Sequence, residues 1–191
     1  KSKRIDAITK GHNKAKVNVI SYEKTSSSTA EEYFYSAYEK AENGDHYGAI
    51  ADYNKAIELE PNNSSAYYNS GYEKYENKDY EGAIVDFTKA IKLNPSYTKA
   101  YINRGITKRK LEDYYGSIAD YNKAIELDPN DADAYINRGI TKSDLEDYYG
   151  SIADFNKAIE LNPSYTKAYY NRGWSKNELK DYNNAIADFN K

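Results

Sequence analysis

A step of 34 residues recurs through most of this chain, and it constrains the fold more than any other feature of the sequence. All of the prolines keep this step, at Pro61, Pro95, Pro129 and Pro163. So do an aspartate and a glycine series: Asp45, Asp79, Asp113, Asp147 and Asp181, and Gly71, Gly105, Gly139 and Gly173. A period of about 20 to 50 residues indicates a repeat protein, in which each unit buries its apolar face against the next. The sequence therefore predicts a stack of repeats and not one globular core.

Each unit contains two stretches of helical pattern, each of roughly 12–14 residues and therefore marginal as an isolated helix. Asp45 and its counterparts stand just before the second stretch, where a carboxylate can cap the orphan amides. The glycines lie in the middle of the first stretch, where Gly costs about 1 kcal/mol relative to Ala. That repeated cost predicts close approach of the partner helix. The prolines follow the second stretch, where a helix has already ended.

This unit resembles the tetratricopeptide repeat, and the resemblance covers residues 30–191. The large aromatic residue near the start of the first helix is Tyr33, Tyr67, Tyr101, Tyr135 or Tyr169. The small residue of the second helix is Ala49, Ala83, Ser117, Ser151 or Ala185, and its aromatic residue is Tyr53, Phe87, Tyr121, Phe155 or Phe189. The resemblance implies an all-α fold, a right-handed α-solenoid of five stacked helix-turn-helix repeats: 30–63, 64–97, 98–131, 132–165 and 166–191.

Two polar series accompany the repeat. The family often has an aromatic residue three places after the glycine, but this chain has Lys40, Lys74, Lys108, Lys142 and Lys176. We expect these lysines to extend their stems along the surface and keep their ammonium groups in water. The second series places Asp three residues before Lys, at Asp52–Lys55, Asp86–Lys89, Asp120–Lys123, Asp154–Lys157 and Asp188–Lys191. This spacing predicts exposed ion pairs within one helix.

The N-terminal arm, residues 1–29, differs in charge from the rest of the chain. It carries seven basic residues against Asp6 and Glu23, whereas residues 30–191 have a net charge of −8. An acidic repeat domain argues against general nucleic-acid binding. The arm is predicted to be non-helical or partly extended, with a strand-like segment at 16–22 before a Ser/Thr linker. It either docks on an acidic surface or is a solvated tail.

Composition leaves the compartment open. The chain has no Cys and no Met, and no apolar run approaches the roughly 20 residues that a membrane-spanning helix needs. The missing initiator Met indicates a processed product or a fragment. The protein is therefore either cytoplasmic or exported after signal cleavage.

The family resemblance implies a binding surface on the concave side, which the first helices of the repeats line. Carried over by position, the predicted partner-binding residues are Tyr68, Asn69, Tyr72, Lys99, Asn103, Ile106, Arg109, Asn137, Ile140, Lys167, Asn171 and Trp174. The asparagines either grip the backbone of an extended peptide or satisfy their own helices. Trp174 is either a binding hot spot or a packing residue of the last repeat.

No motif for catalysis is present. The chain has two histidines, His12 and His46, and it lacks HExxH, GxGxxG, Walker and GxSxG sequences. We therefore expect no enzyme activity, no cofactor and no metal. Two functions remain open. The first is a scaffold or adaptor that binds a peptide or protein in the concave groove. The second is a structural subunit that assembles head to tail with other copies, with the arm contacting a neighbour.

Overall fold

The computed structural model describes residues 29–191, and throughout this range every regular element is an α-helix. The helices are α1 (Ala30–Glu42), α2 (His46–Leu59), α3 (Ser64–Glu76), α4 (Tyr80–Leu93), α5 (Thr98–Lys110), α6 (Tyr114–Leu127), α7 (Ala132–Asp144), α8 (Tyr148–Leu161), α9 (Thr166–Glu178) and α10 (Tyr182–Phe189). The predicted all-α fold class is confirmed. The strand-like segment at 16–22 and the docking of the arm lie outside the described residues.

The described residues form two compact units, which we treat separately. The first unit is residues 29–100, with α1 to α4 and the start of α5, and the second is residues 101–191. Within each unit the helices of one repeat pack as a hairpin, and the second helix of one repeat packs against the first helix of the next. Along residues 29–191, no helix combines the length and apolarity needed to cross a membrane.

The second helices begin as the aspartate series predicts. The Asp45 carboxylate accepts a hydrogen bond from the backbone amide of Gly48 at 2.9 Å, and Asp79, Asp113 and Asp147 do the same. The prediction is wrong for Asp181, which makes no such bond. This cap needs a glycine three residues after the aspartate, because a Cβ on Gly48 would lie 2.1 Å from an Asp45 oxygen. Because the fifth repeat has Asn184 at that place, its aspartate instead accepts from the Asn184 side chain.

The glycines of the first helices allow close approach of the partner helix, as predicted, and the group that approaches is an aromatic ring. A Cβ on Gly139 would lie 2.7 Å from the Phe155 ring, and at Gly105 it would lie 2.8 Å from the Tyr121 ring. In the first repeat Ala37 packs with Tyr53. The cost of a mid-helix glycine is thus offset by seating a large ring of the second helix against the backbone of the first.

Apolar contact also joins consecutive repeats. In the second unit, a buried cluster contains Ile136 and Ile140 of α7, Phe155 and Ala158 of α8, and Ala168 of α9. Ala168 belongs to the fifth repeat, so a small residue of its first helix completes the core of the fourth. The counterparts Ala66, Ala100 and Ala134 are likewise fully buried. Each hairpin therefore depends on its neighbour to cover its apolar surface, as stacked repeats require.

The turn between the two helices of each repeat uses a left-handed residue. Gly44 takes this place in the first repeat, with φ of 79°. The other repeats place a residue with a side chain there, at Lys78, Glu112, Glu146 and Lys180, with φ between 62° and 66°. An L-residue adopts this region at a cost that Gly avoids.

The predicted exposed pairs between Asp and the following Lys are wrong. Asp154 is almost fully buried, and its two oxygens accept hydrogen bonds from the Arg138 guanidinium at 2.6 and 2.9 Å. Lys142 reaches the same carboxylate at 2.8 Å. Asp120 is held in the same way by Arg104 and Lys108, and Asp188 by Arg172 and Lys176. These ion pairs join the two helices of one hairpin.

The first two repeats use a serine in place of the arginine. Asp52 accepts hydrogen bonds from Ser36 and Lys40, both at 2.6 Å, and Asp86 accepts from Ser70 and Lys74. Burial alone would raise the pKa of Asp52, but the hydrogen bonds from Lys40 and Ser36 outweigh it and hold the pKa below its ordinary value. The expectation that these lysines keep their ammonium groups in water is wrong, because each ammonium pairs with a carboxylate of the partner helix. The lysines that were predicted to pair with the aspartate three residues earlier pair with a glutamate three residues later: Lys55 with Glu58, Lys123 with Glu126 and Lys157 with Glu160.

Candidate partner-binding face

The predicted partner-binding residues fall into two groups by burial. Six are buried in the structure: Tyr68, Asn103, Ile106, Asn137, Ile140 and Asn171. Six are half-buried, so that part of each side chain reaches the surface: Asn69, Tyr72, Lys99, Arg109, Lys167 and Trp174. A partner that binds this conformation can contact the second group directly, whereas the first group lies beneath the surface.

Most of the asparagine row lies inside the second unit. Asn103, Asn137 and Asn171 are each less than 5 % exposed. The Asn171 amide donates a hydrogen bond to the backbone oxygen of Lys167 at 2.8 Å, which agrees with the alternative that the asparagine satisfies its own helix. Only Asn69, in the first unit, is half-buried. The repeating sequence could not reveal this depth, because the period gives the face of a helix but not its distance from solvent.

Arg109 forms an ion pair between repeats. Its guanidinium donates to Asp144 at 2.8 Å, from the end of α5 to the end of α7. Both side chains are largely buried, with 12 % and 18 % exposed. Arg109 thus connects the third and fourth repeats, and a partner would have to compete with Asp144 for it.

Trp174 lies at the edge of the last two repeats. Its ring packs on Tyr148 of α8 with the centroids 5.9 Å apart and the planes inclined by 60°. The residue as a whole is half-buried. The structure therefore agrees with a packing role for Trp174 and leaves a surface that a partner can contact.

Two tyrosines in the loops before a first helix reach back to the preceding repeat. The Tyr165 hydroxyl donates to Asp133, and Tyr97 is hydrogen-bonded to Ser65. Burial raises the pKa of Tyr97 to about 12, against the opposing effect of the bond to Ser65. At the same place the other repeats have Asn63 and Asp131, which cap α3 and α7 instead. Junctions with a tyrosine and junctions with a capping side chain alternate along these repeats.

The first unit contains a cluster of tyrosines and carboxylates that sequence reasoning missed in part. The buried Glu73 carboxylate lies 2.7 Å from Nδ1 of His46, between α3 and α2. Burial raises the pKa of Tyr53, and the nearby carboxylate of Glu73 raises it further. Burial likewise raises the pKa of Tyr72, together with the charge of Glu76 and a hydrogen bond to it. The sequence contained one sign of this cluster: Glu73 occupies the position at which later repeats have Thr107, Thr141 and Ser175.

Among residues 29–191, no group of three or more His, Cys, Asp or Glu side chains is arranged to hold a metal ion. The carboxylates of the ion-pair series are instead occupied by lysine, arginine and serine donors.

Profiles of known families match the repeats described above. A profile described as TPR repeat matches residues 37–74 and 107–145. Two described as tetratricopeptide repeat match residues 64–97 and 132–165, and residues 155–187. The chain belongs to the tetratricopeptide repeat family. Together the matches cover most of the described residues, so the family resemblance is confirmed.

Solved structures of other tetratricopeptide repeat proteins share this fold. MamA 41-end from Desulfovibrio magneticus RS-1 is 22 % identical, with a TM-score of 0.80 over 87 % of this chain and 94 % of that one. YrrB, described as a TPR protein with an unusual peptide-binding site, is 24 % identical, with a TM-score of 0.70 over 83 % and 82 %. A tetratricopeptide repeat protein from Parabacteroides merdae ATCC 43184 is 22 % identical, with a TM-score of 0.77 over 84 % and 64 %. No curated protein sequence matches the chain significantly.

Proposed function

We propose that this protein is a non-catalytic interaction scaffold that binds a peptide or protein partner on the exposed face of its first helices. One observation carries the proposal: the repeats vary mainly in their first helices. The second helices repeat the same side chains, such as Ile50, Ile84, Ile118, Ile152 and Ile186. The first helices differ between repeats, for example at Glu31, Ser65, Lys99, Asp133 and Lys167. Variation that the hairpin fold does not require fits a surface shaped for a partner.

The half-buried residues supply the proposed contacts. Asn69 and Tyr72 in the first unit, and Trp174 in the second, offer amide, phenol and indole groups to a partner. Such groups are frequent in interfaces because they join apolar area to a hydrogen-bonding tip. The other predicted residues are buried and belong to the packed interior of their own unit: Tyr68, Asn103, Ile106, Asn137, Ile140 and Asn171.

Charge reversal on the two faces of the helices tests this proposal. Lys99→Glu and Lys167→Glu change the first-helix face, whereas Lys55→Glu and Lys157→Glu change the second helices of the same two units. Each variant is used as bait in the native source, and captured proteins are quantified by isotope-labelled mass spectrometry. We expect the first pair to reduce capture of one set of partners about fivefold or more, as for a contact worth over 1 kcal/mol. Equal capture by all four variants would remove the proposed face.

A second candidate function is self-association, which the exposed face of α10 favours. Tyr182, Ile186 and Phe189 are 56 %, 58 % and 46 % exposed. Their counterparts in the fourth repeat are better covered: Tyr148 and Ile152 are half-buried, and Phe155 is fully buried in a cluster that includes Ala168 of the next repeat. A head-to-tail contact would bring α1 of another copy onto this face. There Glu32 stands where the other first helices have the buried Ala66, Ala100, Ala134 and Ala168. Burying that carboxylate is costly, so two α10 faces meeting across a two-fold axis are the better arrangement.

Light scattering after size-exclusion chromatography tests the second candidate. Ile186→Glu places a charge on the α10 face, and Val85→Glu places one on the equally exposed α4 surface. Self-association predicts a concentration-dependent dimer that Ile186→Glu abolishes and Val85→Glu preserves. Monomers at all concentrations would exclude it and leave the scaffold proposal standing.

A further inference from the structure

One face of the first unit combines tyrosine rings with carboxylates. Tyr38 and Glu42 are four residues apart on α1, and Tyr72, Tyr75 and Glu76 lie within four residues on α3. Residues three or four apart share one face of a helix. Both helices pack against α2, and the Tyr53 phenol of α2 lies within electrostatic reach of Tyr38 and Glu42 of α1 and of Glu73 of α3. We call these five residues of α1 and α3 the tyrosine–glutamate face.

The groups on this face remain accessible in part. Glu42 and Glu76 are exposed, and the three tyrosines are half-buried. Tyr72 is hydrogen-bonded to Glu76, and the Tyr75 ring packs on Tyr80 with the centroids 5.5 Å apart. These contacts hold the carboxylate and the rings in place while leaving surface for a ligand, so that little side-chain ordering is needed on binding.

The first unit carries a net negative charge, as do the two glutamates of the tyrosine–glutamate face. Residues 29–100 contain 13 carboxylates against 7 lysines and no arginine, a net charge of −6. Residues 101–191 contain 15 carboxylates against 13 basic residues, a net charge of −2. Lys40 and Lys74 of the first unit are already paired with Asp52 and Asp86. The first unit therefore attracts cations more strongly than the second.

The hairpin fold does not require this combination of residues. At the places of Tyr38 and Tyr72, the third and fourth repeats have Ile106 and Ile140. At the place of Tyr75 they have Arg109 and Ser143. Helix lengths and the glycine–ring contacts are the same in these repeats. A carboxylate recurs at the place of Glu42 and Glu76 in the fourth and fifth repeats, as Asp144 and Glu178, so the tyrosines beside it are what distinguish the first unit.

We propose that the tyrosine–glutamate face binds a lysine or arginine side chain in an extended segment of the partner protein. Aromatic rings attract a cation over their faces, and a carboxylate forms charge-assisted hydrogen bonds with ammonium or guanidinium. The net charge of −6 complements such a segment over a longer range. This inference rests on the proposed scaffold function and assigns the chemical class of the partner on the first unit.

Peptide binding to the full-length protein tests the inference. The probe is the fluorescein-labelled peptide Gly-Ser-Arg-Lys-Ser-Gly, and the control peptide carries citrulline and acetyl-lysine, which have similar shapes without charge. Fluorescence anisotropy at constant ionic strength measures the affinity. Glu76→Gln and Tyr72→Ile are each expected to weaken probe binding about two- to fivefold. Glu81→Gln removes the same charge from the exposed surface of α4 and is expected to leave the affinity nearly unchanged.

Folding of the variants is checked by circular dichroism, and Tyr72→Ile introduces the residue that repeats three and four already have. Equal binding of the two peptides, or equal loss with Glu81→Gln, would overturn the inference. It would also be overturned if replacing the seven basic residues of the arm strengthened probe binding, since the arm would then be the occupant. The scaffold proposal survives any of these results if capture of native partners still depends on Lys99 and Lys167.

Discussion

The two units build the same helical hairpin with different polar chemistry. In the second unit each buried aspartate is held by an arginine and a lysine of the first helix, as Asp154 is by Arg138 and Lys142. In the first unit Asp52 is held by Ser36 and Lys40. A guanidinium adds two directed bonds and a full charge, whereas a hydroxyl adds one bond and none. The comparison shows that a carboxylate paired with the first helix is common to all hairpins, while the strength of its partners differs.

The largest effect is expected from removing the aspartate in each unit. Asp154→Ala leaves Arg138 and Lys142 largely buried without their counter-charge, and should cost about 3–5 kcal/mol of unfolding free energy. Asp52→Ala leaves a serine and the more exposed Lys40, and should cost about 1–2 kcal/mol after screening by solvent. Urea denaturation followed by circular dichroism measures both. Equal costs would mean that the arginine does not distinguish the units.

Adding a methyl group where the two helices of a hairpin touch tests how tightly that contact is packed. Gly139→Ala places a Cβ 2.7 Å from the Phe155 ring, and overpacking of this kind should cost about 1–3 kcal/mol. In the first repeat the same position is already Ala37, packed with Tyr53. Ala37→Gly is therefore the matched control and should cost about 0.5–1 kcal/mol through helix propensity alone. A stabilising Gly139→Ala would show that the fourth repeat can seat its ring against a Cβ as the first repeat does.

The turn residues give a smaller effect, of opposite sign in the first and fourth repeats. Glu146 and Lys78 adopt a positive φ with a side chain, whereas Gly44 does so without one. Glu146→Gly in the second unit should stabilise by about 0.5–1 kcal/mol, and Gly44→Ala in the first should destabilise by about the same amount. Thermal unfolding of the two variants measures the shift. A loss of stability in Glu146→Gly would mean that its side chain contributes more than the backbone strain costs.

Acidification should weaken the carboxylate contacts of both units. The expected result is a fall in the free energy of unfolding as the pH is lowered. The pKa of Asp188 is lowered, because the bonds from Arg172 and Lys176 outweigh the effect of burial, and that of Asp52 is lowered as well. A depressed folded-state pKa gives stability that is present above the ordinary value of about 3.9 and is lost as pH falls through the folded value. Urea denaturation between pH 7 and pH 2 should show this loss, and Asp52→Asn should reduce its size.

The sequence predicted the features that recur with the period. The helix pairs, the aspartate caps and the glycine–ring contacts each depend on a residue type at a fixed place in the unit, so the 34-residue step revealed them. The ion pairs were misassigned because Asp154 has a lysine three residues away on its own helix, and only the packed hairpin brings Lys142 and Arg138 closer. The burial of Asn103 and Asn137 was likewise not visible, because burial depends on how the helices cross. The pairing of His46 with Glu73 interrupts the period at both positions, which a search for repeated residues overlooks.

The alternating junctions bear on how such an array can be lengthened. At two junctions a tyrosine reaches back to the preceding repeat, Tyr97 to Ser65 and Tyr165 to Asp133. At the other two junctions the residue at that place caps the following helix, Asn63 at α3 and Asp131 at α7. A single tyrosine-type unit grafted into the chain would place two such junctions in succession, and the second hydroxyl would meet a lysine, as at Lys99 or Lys167, in place of Ser65 or Asp133. Insertion of a pair keeps every hydroxyl matched. The natural module for engineering longer versions is therefore a tandem of two hairpins.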